Sequence, residues 1–264
     1  MLRRTFVHLP GVGPNAERRL WHAGIKTWED FADAKDLRLK PEVRDRLAEH
    51  LCLSAQRLDK RDARFFRDCL PRDSWWRAYP DFVREAVYLD IETTGMGGWA
   101  ETTVVGLLRQ GRMQVFIKDE NLVELPAALA DCKLLITFYG SAFDLPFLRR
   151  RFADLACNAL HLDLCFLLRR LGLRGGLKAV EQRLGIERSE ATRGLSSYDA
   201  VRLWREWERG SKEALALLLE YNREDVSNLV PLAKTAYEGL WSACLEGFRA
   251  WQERHGGRRG GPRP

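Results

Sequence analysis

Five side chains in this 264-residue chain have the types and spacing for metal-assisted chemistry: Asp90, Glu92, Asp144, Tyr221 and Asp225. Asp90 and Glu92 stand two apart in Val87-Tyr88-Leu89-Asp90-Ile91-Glu92-Thr93-Thr94-Gly95, an apolar and β-branched run that reads as a strand ended by Gly95. Alternate residues of a strand share a face, so both carboxylates project the same way. Two like charges this close repel unless a cation lies between them, and Mg²⁺ and Mn²⁺ are hard ions that prefer carboxylate oxygen. On an edge strand the same pair would simply be solvated. Asp144 comes after a strand and a Gly140-Ser141 turn and leads into Leu145-Pro146-Phe147-Leu148, where a strand hands over to a helix. Tyr221 and Asp225 are four apart on a helix and share one face. Leu215, Leu218 and Leu219 turn that face toward the core, where an aspartate needs a partner. The four acids and the tyrosine come from three segments. They converge if the last helix crosses the sheet beside the first strand.

The elements that must position them follow from the pattern of the chain. Thr102 to Leu108 and Met113 to Ile117 are β-rich, with Gln110-Gly111 as a hairpin turn between them. Leu122 to Ala130 reads as a helix and Leu134 to Phe138 as a buried strand, and from Leu162 to about Trp251 the pattern is mostly helical. This βββαβ order predicts an α/β fold, a mixed sheet flanked by helices. Ahead of it lies a small all-α segment. Leu9-Pro10-Gly11-Val12-Gly13-Pro14 permits a tight turn before a helix over Asn15 to Ala23, and Thr27 is placed to cap a second helix. Exposed amides at Gly11 and Gly13 would meet a phosphate, and a purely structural or protein-binding role is the alternative. Lys40 to Leu70 reads as one or two Arg-rich helices closed by Pro71. The expected division is a helical domain over 1–71, a linker over 72–85, an α/β domain over 86–237, and a C-terminal helix with a disordered basic tail over 238–264. Trp75, Trp76 and Tyr79 in the linker would stack on bases or pack between domains.

Asp90-x-Glu92, Phe143-Asp144 and Tyr221-x-x-x-Asp225 match, in order and approximate spacing, the three motifs of the DEDD exonucleases, and the tyrosine resembles that family's tyrosine subclass. The texture of residues 5–235 resembles YprB-type ribonuclease-H-like proteins. Asp90-Ile91-Glu92-Thr93-Thr94-Gly95, Phe143-Asp144-Leu145-Pro146, His161-Leu162-Asp163-Leu164 and Tyr221-Asn222-x-x-Asp225 carry that likeness. So does the Leu9 to Pro14 leader before Glu17-x-x-Leu20-Trp21, which resembles a helix-hairpin-helix motif. The chain departs where those proteins carry an asparagine five residues before the second aspartate, because it has Tyr139 there. The resemblance implies a ribonuclease-H-like fold and two-metal 3′–5′ hydrolysis of phosphodiesters. Two divalent ions, Mg²⁺ or Mn²⁺, would lie among Asp90, Glu92, Asp144 and Asp225, with Asp90 bridging them. Glu92 and Asp225 would hold the ion carrying the attacking water, Asp144 would support the second, and Tyr221 would orient the water. The implied partner is nucleic acid, single-stranded or 3′-ended DNA ahead of RNA. A binding scaffold without catalysis and a structure-specific endonuclease are the rival functions.

Composition agrees with a polyanion substrate. Residues 1–80 hold 17 basic and 12 acidic side chains, residues 81–237 hold 21 and 22, and residues 238–264 hold 5 and 3, so the basic excess lies outside the acidic centre. Six scattered cysteines without metal spacing, the absence of an 18-residue apolar run and an N-terminus unlike a signal peptide predict a reduced, cytoplasmic chain with no membrane partner. Several further residues are candidates. Lys178 would grip phosphate, as would Arg174 and Arg149-Arg150-Arg151, although charge runs on helices are usually solvated. Tyr139 would form a substrate wall or belong to the core. Asp163 reads as a helix cap or a site residue, and His161 as structural.

Overall fold

Helix starts in the N-terminal part of the chain carry their own punctuation. In the computed structural model, which describes residues 1–34, 37, 39–153, 155 and 158–255, a three-residue 3-10 helix (Leu2–Arg4) opens the chain. A turn follows in which Gly11 adopts φ 78°. Gly13 then caps α1 (Pro14–His22), whose first position is proline, a residue with no amide proton to leave unpaired there. Thr27 caps α2 (Trp28–Asp33) through a reciprocal capping box with Asp30. α3 (Pro41–Asp59) and α4 (Ala63–Cys69) cover the Arg-rich stretch. A 3-10 helix (Arg72–Ala78) then leads into α5 (Tyr79–Phe82). The expected basic tail beyond residue 255 and Cys157 lie outside the described residues.

Contacts group the chain into two units. One is Met1–Phe82 with the stretch from Tyr237 onward, and the other is Val83–Ala236, so the division falls inside the 72–85 stretch. The first unit packs Phe6, Phe31, Phe66 and Phe82, all fully buried. It also buries an ion pair, Arg77 to Glu17 at 2.8 Å, in which Glu17 additionally accepts from the Phe6 amide at 2.7 Å. Of the aromatics considered for base stacking, Trp76 and Tyr79 are buried against Tyr237, with ring centroids 6.2 and 5.6 Å away. Only the short 3-10 helix precedes the Gly11–Gly13 turn, where a full helix-hairpin-helix would place a longer one.

The second unit is a five-stranded mixed sheet. Its strands are β1 (Ala86–Thr93), β2 (Thr102–Arg109), β3 (Arg112–Ile117), β4 (Leu134–Thr137) and β5 (Leu160–Asp163), ordered β3-β2-β1-β4-β5. β1 to β3 form an antiparallel meander, and β4 and β5 pair parallel to β1 in turn. The strand that carries the acid pair is therefore central. α6 (Leu125–Leu129) leads into β4, α7 (Asp144–Arg151) follows it, and α8 (Leu164–Arg170) follows β5. α9 (Leu177–Arg183), α10 (Ser197–Glu208) and the 44-residue α11 (Lys212–His255) complete the chain.

The period of two along β1 sorts its side chains between two cores. Val87, Leu89 and Ile91 pack with Leu125, Leu129, Phe147 and Leu148 from α6 and α7. On the opposite face Val104 of β2 packs with Leu203 and Trp204 of α10 and with Leu218 and Tyr221 of α11. Asp90 and Glu92 belong to that second face by alternation. Gly106, paired with Asp90 across β1 and β2, makes the close approach of α11 possible. A Cβ on it would lie 2.1 Å from Asn222 Oδ1 and 2.8 Å from Val226 Cγ2.

Candidate active site

Three elements bring the acids together. β1 supplies Asp90 and Glu92, α11 supplies Asp225, and each of the three offers a carboxylate oxygen within 4.8 Å of the others. Asp144, the first residue of α7, lines the same cleft but stands outside that triad. Parallel pairing of β1 with β4 ends at Tyr88 and Ile136. Asp144 follows β4 at the start of α7 and is buried, 2% exposed. Asn222, fully buried one turn ahead of Asp225, donates to Asp90 Oδ2 at 3.0 Å. The crossing of α11 beside β1, on which convergence depends, is thus made by Asn222 lying over Gly106.

Crowding of these acids shifts their protonation. Burial, then Asp225 and Asp144, holds Asp90 well above the ordinary carboxylate range, and burial with Asp225 does the same to Glu92. Burial raises Asp144 to about 7. It raises Asp225 to about 6, outweighing the opposing guanidinium of Arg188. Buried oxygens of Glu92 (Oε1) and Asp144 (Oδ1) have no hydrogen-bond partner. Repelling, desolvated carboxylates with unused oxygens fit a hard divalent cation, which would satisfy both the charge and the lone pairs. Burial and the neighbouring acids also raise Tyr221, so its hydroxyl keeps its proton and acts as a donor.

Around the acids lies an open cleft of about 990 Å³, whose walls include Lys178, Tyr139 and Arg188. Lys178 lies with Nζ 4.4 Å from the Tyr221 ring centroid, and that buried ammonium has no hydrogen-bond partner. Burial holds it below the ordinary lysine range. Tyr139 is 47% exposed and pairs with Phe166 at a 6.1 Å centroid distance. Its φ of 64° lies in the left-handed region, which asparagine tolerates and a bulky side chain rarely adopts. Asp163 holds this turn by accepting from the Tyr139 and Ser141 amides at 2.8 and 2.9 Å, and it also caps α8 through the Cys165 amide. The following Gly140 has no room for a Cβ, which would fall 2.2 Å from Thr137 Oγ1. His161 bonds Thr137 Oγ1 at 2.9 Å and stands outside the acid cluster. Arg150 donates to the Gly98 and Ala100 carbonyls. Gly11 and Gly13 belong to the other unit, in the turn that opens α1.

Arg188, Glu181 and the role of Asn222 were not anticipated from the sequence. Arg188 grips Glu181 with two hydrogen bonds of 2.7 Å and reaches Asp225 with the same Nη2, while its Nη1 is buried and unpaired. Asn228 donates to Glu181 at 3.0 Å. A signal was present. Leu177 and Val180 of α9, with Leu184 just after its end, make an apolar stripe, and Glu181 sits within it, one position after Val180. An acid on a buried stripe demands a cation.

A protein-family model described as RNase_H superfamily matches residues 87–237, more than half of the chain. The chain belongs to the RNase_H superfamily. Its matched segment spans the sheet, the acid cluster and the part of α11 that bears Tyr221 and Asp225. Among solved structures, this RNase_H-superfamily chain is similar to the family B DNA polymerase from the hyperthermophilic archaeon Pyrobaculum calidifontis. The identity is 15%, the TM-score is 0.46, and the match covers 57% of this chain and 24% of the polymerase, so the chain spans about a quarter of that protein's length. No curated protein matches the chain in sequence. Among the described residues, no helix is long and apolar enough to cross a membrane.

Proposed function

We propose that the chain is a metal-dependent 3′–5′ exonuclease of the tyrosine-containing DEDD subclass, related to YprB-type proteins, that hydrolyses phosphodiester bonds of DNA in preference to RNA. The observation that carries this reading is the convergence of Asp90, Glu92 and Asp225 on one point of an open cleft. Asp90, Glu92 and Asp225 would hold one divalent ion, and Asp90 with Asp144 a second. Mg²⁺ or Mn²⁺ bound there supplies a lowered water pKa and neutralises charge on the leaving oxygen. The protein's own groups do the rest. Asn222 holds the Asp90 carboxylate in its rotamer. Tyr221, a hydrogen-bond donor, orients the attacking water. Lys178 and Arg188 line the cleft, and a side-chain shift that uncovers the buried, unpaired Lys178 Nζ and Arg188 Nη1 would offer their protons to phosphate oxygens. Tyr139, exposed and backed by Phe166, offers a flat surface for a base. In the other unit, the amides of the Gly11–Gly13 turn are placed to touch backbone phosphate.

A 3′-labelled single strand tests the proposal. Purified protein with Mg²⁺ or Mn²⁺ releases labelled mononucleotides from it, leaves a circular strand intact, and loses this activity in Asp90→Ala. An Asp90→Ala protein as active as the parent would end the assignment, and cleavage of the circle would replace exonuclease with endonuclease.

A further inference from the structure

The unit that holds the N-terminus contains a second cavity, of about 200 Å³. Trp21, Trp241, Leu245 and Phe248 form its apolar walls, and Arg4, Lys26, Arg249 and Gln252 its polar rim. Trp241 and Phe248 both stand nearly perpendicular to Trp21, with centroids 6.1 and 5.6 Å apart. The guanidinium of Arg4 lies 5.3 Å from the Trp241 ring centroid. No carboxylate lines the cavity, and Arg4 and Arg249 make no ion pair among the described residues. Trp21 is only 5% exposed, yet its indole N–H has no hydrogen-bond partner. A buried donor left unpaired costs about 1–3 kcal/mol, so an acceptor that reaches it is favoured.

We propose that this cavity is a binding site for one base of a single-stranded nucleic acid, with the flanking phosphates held by Arg4, Lys26 and Arg249. Charge selects a polyanion, because three cations line the cavity and its described lining holds no acid, Asp30 beside Lys26 lying outside that lining. Size selects a single ring. The volume lies below the roughly 300–1,000 Å³ of pockets for drug-sized ligands. The walls select a flat π-system, and Trp21 Nε1 matches the carbonyl or ring-nitrogen acceptors on a base edge. An acidic peptide would satisfy the cations and leave the aromatic walls unused. The site involves neither the Gly11–Gly13 turn nor the carboxylate cluster. It rests on the nuclease reading only in taking nucleic acid as the partner.

The test is binding of the full chain to fluorescent oligothymidylate of about fifteen nucleotides, measured by anisotropy in EDTA so that no hydrolysis occurs. Trp241→Ala is expected to weaken binding about tenfold, the loss of one stacked base. Arg249→Glu and Lys26→Glu sit on exposed positions that leave folding intact. Each is expected to weaken binding and to lower the slope of log K against log salt by about one. An abasic strand of equal length is expected to bind like Trp241→Ala and to be insensitive to that substitution. A parent protein that releases no nucleotide with Mg²⁺ or Mn²⁺ yet keeps pocket-dependent binding sinks the nuclease reading and supports this one. Parent-like binding by Arg249→Glu and Lys26→Glu overturns the proposal. So does an abasic strand, or a polyglutamate peptide, that binds as tightly as oligothymidylate.

Discussion

Replacing Arg188 by methionine tests the electrostatic architecture of the acid cluster at its most exposed assumption. The side chains of Arg188, Glu181 and Asp225 are 7, 2 and 9% exposed. Arg188 supplies both hydrogen bonds from a cation to Glu181 and the only guanidinium contact with Asp225 among the described residues. Without it, Glu181 keeps only the neutral Asn228 amide as a hydrogen-bond donor, and Lys178, which bonds neither acid, is the cation left near the two buried carboxylates. Removing one partner of a buried ion pair costs about 3–5 kcal/mol, far more than the net worth of the intact pair. With a urea dependence of roughly 2 kcal/mol per molar, the unfolding midpoint of metal-free Arg188→Met falls by about 1.5–2.5 M. Glu181→Met costs less, because Arg188 keeps Asp225 as counter-charge. The double variant is less damaged than the sum of the singles, since the apolar pair leaves one fewer orphan. Urea melts of the four proteins at neutral pH, followed by far-UV circular dichroism, give the cycle. A loss below about 1 kcal/mol for Arg188→Met, or strict additivity, would show that the guanidinium does not neutralise a buried cluster.

Three other outcomes follow from the same geometry. Gly106→Ala forces a methyl group into Asn222 and Val226 and is expected to cost about 1–3 kcal/mol by overpacking while displacing the Asn222 contact with Asp90. A thermal melt matching the parent's would contradict the close approach of α11 to the sheet. Mn²⁺ at about a hundred times its Kd is expected to stabilise the chain by about 2.7 kcal/mol, and Asp225→Asn to abolish most of that gain. Equal shifts in both proteins would place the ion elsewhere. Folding raises Asp144 to about 7, above the unfolded value near 3.9, so the native state binds the extra proton and its stability contribution is present below about pH 4 and lost as pH rises through about 7. His8 and His161, lowered to about 4 by burial, shift stability in the opposite direction below about pH 6.5. The metal-free parent should therefore lose stability relative to Asp144→Asn as pH rises from about 5 to about 7.5, and a constant difference would contradict the buried, charge-crowded placement of Asp144.

The letters alone specified much of the α/β unit, because its determinants are local. The period-two run at Val87 to Thr93, the Gln110-Gly111 turn and the apolar stripes of the later helices each announce an element and the face it buries. That Asp90 and Glu92 share a face, and Tyr221 and Asp225 another, follows from periodicity alone. What periodicity does not carry is which faces meet. Tertiary structure decided that the strand of the acids is central, with Gly106 clearing space for Asn222 across more than a hundred residues of chain. It decided that Arg188, on a segment between helices with no pattern of its own, closes the charge balance of Glu181 and Asp225. It also decided that Tyr139 takes a left-handed backbone, because the Asp163 carboxylate is there to hold the turn. Backbone propensity is read within a few residues, whereas a buried charge finds its partner only once the chain has closed on itself.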